Sequence, residues 1–515
     1  MLRNVLRFQV IGSVTQVHQT QVNLEVTMRA ARIVLVACIL TSFNAFAQSP
    51  LPELTTQQLS SVDTFVASEM KKERIPGVAV GVYSRGRILL AKGYGLANVE
   101  LDVPVKPQTI FQSGSVGKQF TSAAIMMLVE EDKLALDDSI TKYFPAAPDA
   151  WKPILLKNLL SHTSGLPEYE SEERTGVNGP FYLRMDYTED ELLQKIEALP
   201  IENPPGEKWN YRNTNYVLLG ILIHKVTGKP YADFLAERIF QPLGMASTRL
   251  ISEADIIPNR AAGYQITAAN QLKNQTWVSP TFNSTADGAL YFNVLDLAKW
   301  DAALYTTKLL KRSSLDRMWT AYPLNDGKPN SAGYGFGWDI RDVNHHRLIE
   351  HGGAWQGFTC DISRFPDDSL TVVVLTNLDS KHAHPEGFAH IIAGLVNPQL
   401  APKKLAAIND THPELLVPLR KLLDRVVAGE DIRDQTAPAL TAQMSPEQTK
   451  RIQRSLSTIW PNGTLTLVQR GHINGNLVSQ YRLTKPGGVP RFIYFGLDAD
   501  GKLAIFSTAP DEEDE

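Results

Sequence analysis

Side chains that could do chemistry together appear first in FQSGSVGKQF, positions 111–120, where Ser115 and Lys118 stand three residues apart. On a helix that spacing puts both on one face, so an amine could take the proton of the serine hydroxyl and activate it as a nucleophile. The spacing by itself is weak. It recurs at Ser68/Lys71 in the polar stretch SEMKK and at Ser139/Lys142 after the acidic turn LDDS, and both of those read as solvated surface. Ser115 differs in its company. Ile110, Phe111 and Gly114 precede it, and FTSAAIMMLVEE follows with apolar residues at Phe120, Ala123, Ala124, Met127 and Leu128. That period predicts a buried helix, whose first turn favours a developing alkoxide through its unpaired N–H groups and positive dipole end.

A serine nucleophile also needs a base made competent by its surroundings and donors for the oxyanion. Lysine and tyrosine both titrate near pH 10 in water, so either serves at neutral pH only if burial or charge shifts it. PPGEKWNYRNTNYVLLG supplies Tyr211 and Asn213 ahead of a second apolar helix, whereas the similar Tyr291/Asn293 pair reads as a helix start. EHGGAWQGF supplies His351, Gly352, Gly353 and Ala354 at a strand start, where two glycines would let a ligand approach the backbone.

These segments need a scaffold. LTTQQLSSVDTFVASEM carries a helical stripe at Leu59, Val62, Phe65, Val66 and Met70, and GVAVGVYSRGRILLAKGYG reads as a hairpin turning at Ser84-Arg85-Gly86. Positions 109–312 are mostly helical runs with Pro/Gly loops, and strands return at YGFGWDI, HRLIEH, GFTCDISRF and SLTVVVLTN. Strands from both ends with helices between predict an α+β architecture, one antiparallel sheet flanked by helices and an inserted helical region. PQLAPKK reads as a linker, here bounded at 399–410. Beyond it, 411–508 predicts a small α+β module with strands TLTLVQR, LVSQYRL, RFIYFGL and KLAIFST, His472 in a turn, and an acidic tail at 509–515.

At the other end, MRAARIVLVACILTSFNAFAQS from Met28 has a basic start, an apolar core and Ala45-Phe46-Ala47 before Gln48. This is the pattern of a secretory leader cleaved after 47, with residues 1–27 as a mis-annotated extension and 48–398 as the main domain. Leu35-Val36-Ala37-Cys38 is a competing lipobox-like reading. The expectation is a periplasmic or secreted protein, not membrane-held once the leader is removed. A net charge of −4 with 21% charged residues gives no footprint for nucleic acid, and Cys360, alone after the leader, reads as a small buried hydrophobe.

In their order, Ser115-x-x-Lys118, Tyr211-x-Asn213 and His351-x-Gly353 resemble the serine β-lactamase and D-Ala-D-Ala peptidase superfamily. LLSHTSGLP, IFQPLGMASTRL, YGFGW and HGGAWQGF resemble its class C β-lactamase-like branch, over about Leu54 to Asn397. The resemblance implies acylation of Ser115, general-base work shared by Lys118 and Tyr211, and Asn213 binding the substrate amide or orienting Lys118. It also implies an oxyanion hole from the N–H groups of Ser115 and Ala354, with no metal or other cofactor. The substrate would be a small-molecule ester, D-peptide or lactam. One departure matters: His351 stands where class C β-lactamases have a lysine, and a histidine is mostly neutral at pH 7. The expected function is therefore an esterase or D-Ala-D-Ala/D-amino-acid peptidase, with a class C-like β-lactamase and a non-turnover peptidoglycan or β-lactam sensor as alternatives. Asp287, where relatives tend to have glycine, would narrow the site or bring in charge.

Two other chemistries fit less well. An α/β-hydrolase elbow would need glycine at Ser113 and its HGG segment before the nucleophile. Metal sites from His345, His346 and His351, or from His382, His384 and His390, lack the HEXXH spacing.

Overall fold

The computed structural model describes residues 51–510 apart from 268, 331, 380, 381, 403, 404, 445, 474, 475 and 487–490. The leader and start-site readings at 1–47, and the tail beyond 510, lie outside the described residues.

Helix α1 (Thr56–Glu73) opens on a capping box, with Thr55 and Gln58 satisfying each other's backbone N–H groups, and buries Val62 and Val66 of the expected stripe. Strand β1 (Gly77–Ser84) turns into β2 (Arg87–Asn98) through Arg85 and Gly86, both at positive φ, which matches the twist of a two-residue hairpin. After β3 (Val103–Pro104) the chain leaves the sheet and returns as β4 (Asp339–Val343), β5 (His346–Trp355), β6 (Phe358–Phe365) and β7 (Leu370–Thr376). The seven strands lie in the order β3-β2-β1-β7-β6-β5-β4, every pair antiparallel, with β1 against β7. The architecture is the expected α+β sheet closed by early and late strands.

One sheet face packs against α1 and helix Pro385–Val396, where Phe65 and Phe388 meet edge to face. The other carries the larger core, centred on helix α2 (Lys118–Glu130), whose residues 118–128 are all buried. Its buried polar residues, Lys118, Gln119, Thr121 and Ser122, must therefore find their partners inside the protein. Strand β6 also buries Arg364 entirely. Its guanidinium pairs with Asp301 at 2.9 Å and lies over the rings of Tyr305, Trp319 and Trp338. Among the described residues no helix is long and apolar enough to cross a membrane.

Two local readings are corrected. YGFG of YGFGWDI precedes the strand as a loop, because Tyr334 turns inward and is wholly buried. Strand Thr464–Ile473 runs through His472, so that residue is not in a turn. Along the stretch 405–410, Ile408 N bonds Leu467 O at 2.9 Å, and Asp410 pairs with Arg470 at 2.5 Å. Beyond it, a four-stranded antiparallel meander with helices Leu416–Ala428 and Pro446–Ser457 encloses its own core around Leu423, Trp460, Tyr481 and Ile493.

Candidate active site

Ser115 sits in a single 3-10 turn, Gly114–Gly117, that feeds directly into α2. Gly114 is at φ +45, and a side chain there would bring a Cβ within 2.3 Å of Ala354 N. The glycine thus lets the turn that carries Ser115 lie against β5. Gly353 answers from the other side, since its Cβ would fall 2.2 Å from Ser113 O and 2.9 Å from Ser115 N. Gly353 thus makes room for the protein's own backbone at Ser113 and Ser115. Gly352 has its nearest prospective contact at 3.8 Å. Cys360 joins this junction by donating its thiol to Ser113 O at 2.8 Å, and burial pushes that thiol's pKa up.

Lys118 is fully buried and its three donors are all used. Nζ bonds Ser115 Oγ at 2.9 Å, Asn213 Oδ1 at 2.7 Å and Asp287 O at 2.5 Å. It also lies 4.9 Å from the centre of the Tyr211 ring. Burial pulls its pKa down to about 8, against the opposing pull of Asp287, Glu170 and Glu168. Tyr211 moves the other way, with burial raising its phenol well above 10 and Ser115 opposing the rise. Its hydroxyl is buried without a hydrogen bond of standard length and angle, so its tie to Ser115 is a loose one.

Helix α3 (Asn213–Thr227) positions Asn213, and its first turn fastens the 167–170 segment. Asn213 N donates to Glu168 Oε2 at 2.7 Å, Thr214 Oγ1 to Pro167 O at 2.6 Å, and Tyr169 N to Thr214 Oγ1 at 2.9 Å. A carboxylate over the free N–H groups of a helix start is a favourable cap. The fastening delivers Glu170, whose Oε2 accepts from Asn213 Nδ2 at 2.6 Å. The Asn213 amide orientation follows, because lysine only donates and the carboxylate side accepts. Asp287 is held opposite: Thr121 Oγ1 bonds Ala286 O at 2.7 Å, and Ser113 Oγ bonds Gly288 O at 2.8 Å.

His351 is buried, with Nδ1 2.6 Å from Gly352 O and Nε2 2.9 Å from Tyr334 Oη. The carbonyl can only accept, so Nδ1 carries the proton and Nε2 receives the tyrosine hydroxyl. Burial, then the nearby Lys118, drive its pKa down to about 3, leaving the ring neutral. It is not among the residues lining the pocket at Ser115, which are Gly114, Ser115, Glu170, Asn213, Phe282, Thr285, Asp287, Gly288, Ala354 and Trp355. The pocket has about 30 Å³ of free space. A larger cavity of about 470 Å³ lies along the 280–286 chain and is not lined by Ser115. The smaller pocket is the candidate site, because Ser115 and Asn213, the two side chains that Lys118 bonds, both line it.

The geometry brings Ser115, Lys118, Tyr211 and Asn213 into one cluster, with Gly353 and Ala354 against Ser115 and His351 behind. Sequence reasoning missed Glu168 and Glu170, although two acids flanking Tyr169 straight after the apolar turn SGLP were a visible oddity. It also missed His162, which accepts from Arg212 N at 3.2 Å and stacks on Tyr211 with ring centres 4.3 Å apart. Four of the six histidines considered as metal ligands disperse onto separate carboxylates: His346 on Asp368, His382 on Asp379, His384 on Glu73 and His390 on Glu350. Glu350, Glu386 and His390 do converge, but Arg341 bridges both carboxylates at 3.0 Å.

A sequence profile described as Beta-lactamase matches residues 62–394. Penicillin-binding protein 4* of Bacillus subtilis (strain 168) is 28% identical over 383 residues, covering 70% of this chain and 80% of that protein. Among solved structures, the octameric penicillin-binding protein homologue from Pyrococcus abyssi superposes with a TM-score of 0.59 at 24% identity, over 88% of this chain and 97% of that one. The D-amino acid amidase from Ochrobactrum anthropi SV3 gives 0.54 at 25% identity, over 62% and 91%.

Proposed function

Since the chain belongs to the Beta-lactamase family, within the serine β-lactamase and DD-peptidase superfamily, we propose that it is a serine hydrolase acting on an ester or amide through an acyl-enzyme on Ser115. The reading is finer than the family, whose members are mostly serine hydrolases, and the observation that carries it is the 2.9 Å contact of a buried, easily deprotonated Lys118 with Ser115 Oγ.

In this mechanism neutral Lys118 takes the Ser115 proton as Oγ bonds to the substrate carbonyl carbon. The resulting oxyanion lies against the N–H groups of Ser115 and Ala354. The leaving oxygen or nitrogen departs with a proton passed from Lys118 through the Tyr211 hydroxyl. Water then attacks the ester, losing its proton to the same base, and the acid is released with Ser115 restored. Of the two candidate bases, Lys118 is the better because burial favours its neutral form, while burial keeps Tyr211 a phenol that donates. Asn213 orients Lys118 by accepting from it.

An esterase or D-Ala-D-Ala/D-amino-acid peptidase suits this site better than a β-lactamase, because His351 is neutral and both its nitrogens are occupied, so no fixed cation stands there for a lactam carboxylate. The relatives named for penicillin binding and D-amino acid amidase activity make lactam and D-amide substrates the natural panel. An exported protein, periplasmic or secreted, with 48–398 as the catalytic domain, completes the proposal.

The test is turnover of p-nitrophenyl acetate, D-alaninamide, a D-Ala-D-Ala peptide and a chromogenic cephalosporin by residues 48–515, with fluorophosphonate labelling followed by intact mass. Ester or amide turnover and labelling, both lost in Ser115→Ala, support the reading. Cephalosporin turnover above the others would favour the β-lactamase. A lasting cephalosporin adduct without any turnover would favour the sensor.

A further inference from the structure

We propose that the cavity of about 470 Å³ along the 280–286 chain is an acyl pocket serving Ser115, so that the preferred substrates are esters or amides of an uncharged medium-chain alkyl or arylalkyl acid. This deepens the serine-hydrolase reading and rests on it.

The first support is room. The pocket at Ser115 has about 30 Å³ of free space, little more than a water needs. A methyl group could enter it, and a longer chain could not. The neighbouring cavity falls within the roughly 300–1,000 Å³ of small-molecule sites, and the wall between the two is thin. Along that wall Asn283, Ser284 and Ala286 border the cavity, Phe282, Asp287 and Gly288 border the Ser115 pocket, and Thr285 borders both. Asn283 completes the wall by accepting at 2.8 Å from the indole N–H of Trp355, which lines the Ser115 pocket. One tier of side chains thus separates Ser115's pocket from the larger space.

Chemistry is the second support. The buried floor of the cavity is apolar: Leu192, Val217 and Ile221 lie beside Tyr231, whose hydroxyl is taken up by Thr121 at 2.7 Å, so that it offers its ring. Asp186, Glu189 and Glu253 also line the cavity, and no lysine or arginine does, so an anionic tail would be repelled. Asp186 already accepts from Thr281 N and Oγ1 at 3.2 and 3.1 Å, and Glu189 faces His224 at 3.0 Å. The apolar floor therefore sets the match, an uncharged hydrocarbon chain. The proton relay fixes which end of the substrate this is. A leaving group must meet the Tyr211 hydroxyl, and Tyr211 is not among the residues lining the cavity, so the acyl group is the part that faces Thr285.

The test compares p-nitrophenyl acetate, butyrate, octanoate and 3-phenylpropanoate, which share one leaving group and differ only in the acyl chain. The native chain should prefer octanoate or 3-phenylpropanoate over acetate by about tenfold or more in kcat/KM, with all turnover lost in Ser115→Ala. Val217→Phe and Ile221→Phe fill the cavity from its α3 side. In them the preference should fall to within about threefold, with circular dichroism and thermal melting showing that the fold survives. Ser115-dependent turnover that is flat or falls with chain length overturns the pocket and spares the hydrolase. A preference that both folded variants keep also overturns it. If no ester is turned over, the hydrolase reading is judged on its amide panel; in that case, or if neither variant folds, calorimetric binding of 3-phenylpropanamide against propanamide by the native chain decides the pocket. Tighter binding of the phenyl compound supports it, and equal binding or none rejects it.

Discussion

Glu170→Gln should move the acid limb of ester hydrolysis to lower pH. Lys118 must be neutral to accept the Ser115 proton, and burial holds its pKa at about 8. Roughly 10% of it is then neutral at pH 7, against about 0.03% of an ordinary lysine, a gain of roughly 300-fold in active base. The gain would be larger without the acids, because Asp287, Glu170 and Glu168 each favour the charged amine. Glu170 stands one amide side chain away through Asn213. Unit charges about 6 Å apart at an effective dielectric of about 20 interact by roughly 3 kcal/mol. Glu170 is itself raised to about 8 and so only partly charged where Lys118 titrates, which reduces the expected shift to about one pH unit. The assay is kcat/KM for p-nitrophenyl acetate, a substrate without charge, between pH 5 and 10. The native limb, a property of the coupled pair, should lie near pH 8 and that of Glu170→Gln near pH 7. A limb that stays in place, moves upward, or lies near 10 in the native chain would refute the reasoning.

The stability of Glu170→Gln should carry the opposite signature of the same group. A carboxyl with a raised pKa binds more protons folded than unfolded between its two values, so native stability falls as pH rises from about 5 to 8; the variant should melt higher than native at pH 8 by a margin that vanishes near pH 5. Tyr211→Phe should cost at least about tenfold more in kcat/KM on an anilide than on p-nitrophenyl acetate, because only the amine leaving group needs a donated proton. Asp301→Asn should lower stability by about 3–5 kcal/mol in denaturant unfolding, since it leaves the wholly buried Arg364 uncompensated. Gly353→Ala should reduce fluorophosphonate labelling by at least about tenfold, because its Cβ would press on Ser113 O at 2.2 Å and shift the turn that carries the nucleophile.

The clustering of Ser115 with its neighbours was legible because they lie beside local signals: Ser115 and Lys118 ahead of an apolar helix, and Tyr211 and Asn213 at the start of another; so was the β1–β2 turn with Arg-Gly at its tip. The strands HRLIEH, GFTCDISRF and SLTVVVLTN were equally visible as short apolar runs. What the sequence hid depends on contacts distant along the chain. Glu170 belongs to a loop with no periodicity, and it reaches the site only because Thr214 and Asn213, more than forty residues on, fasten that loop. Tyr334 reaches His351 from a preceding loop, a contact that nothing local to HGG signals. The approach of Ser113 and Ser115 to Gly353 likewise depends on the fold. YGFG has the composition of a strand, but its tyrosine is drawn inward to a hydrogen bond that propensity does not encode.

The most direct test of the central claim is a rapid-quench experiment with p-nitrophenyl acetate, followed by proteolysis and mass mapping of the acetylated peptide. The account predicts a p-nitrophenolate burst of up to one equivalent of enzyme, with a single acetyl group on Ser115 and no burst in Ser115→Ala or Lys118→Met. An acetyl group on another residue, or a burst that survives Ser115→Ala, would contradict it.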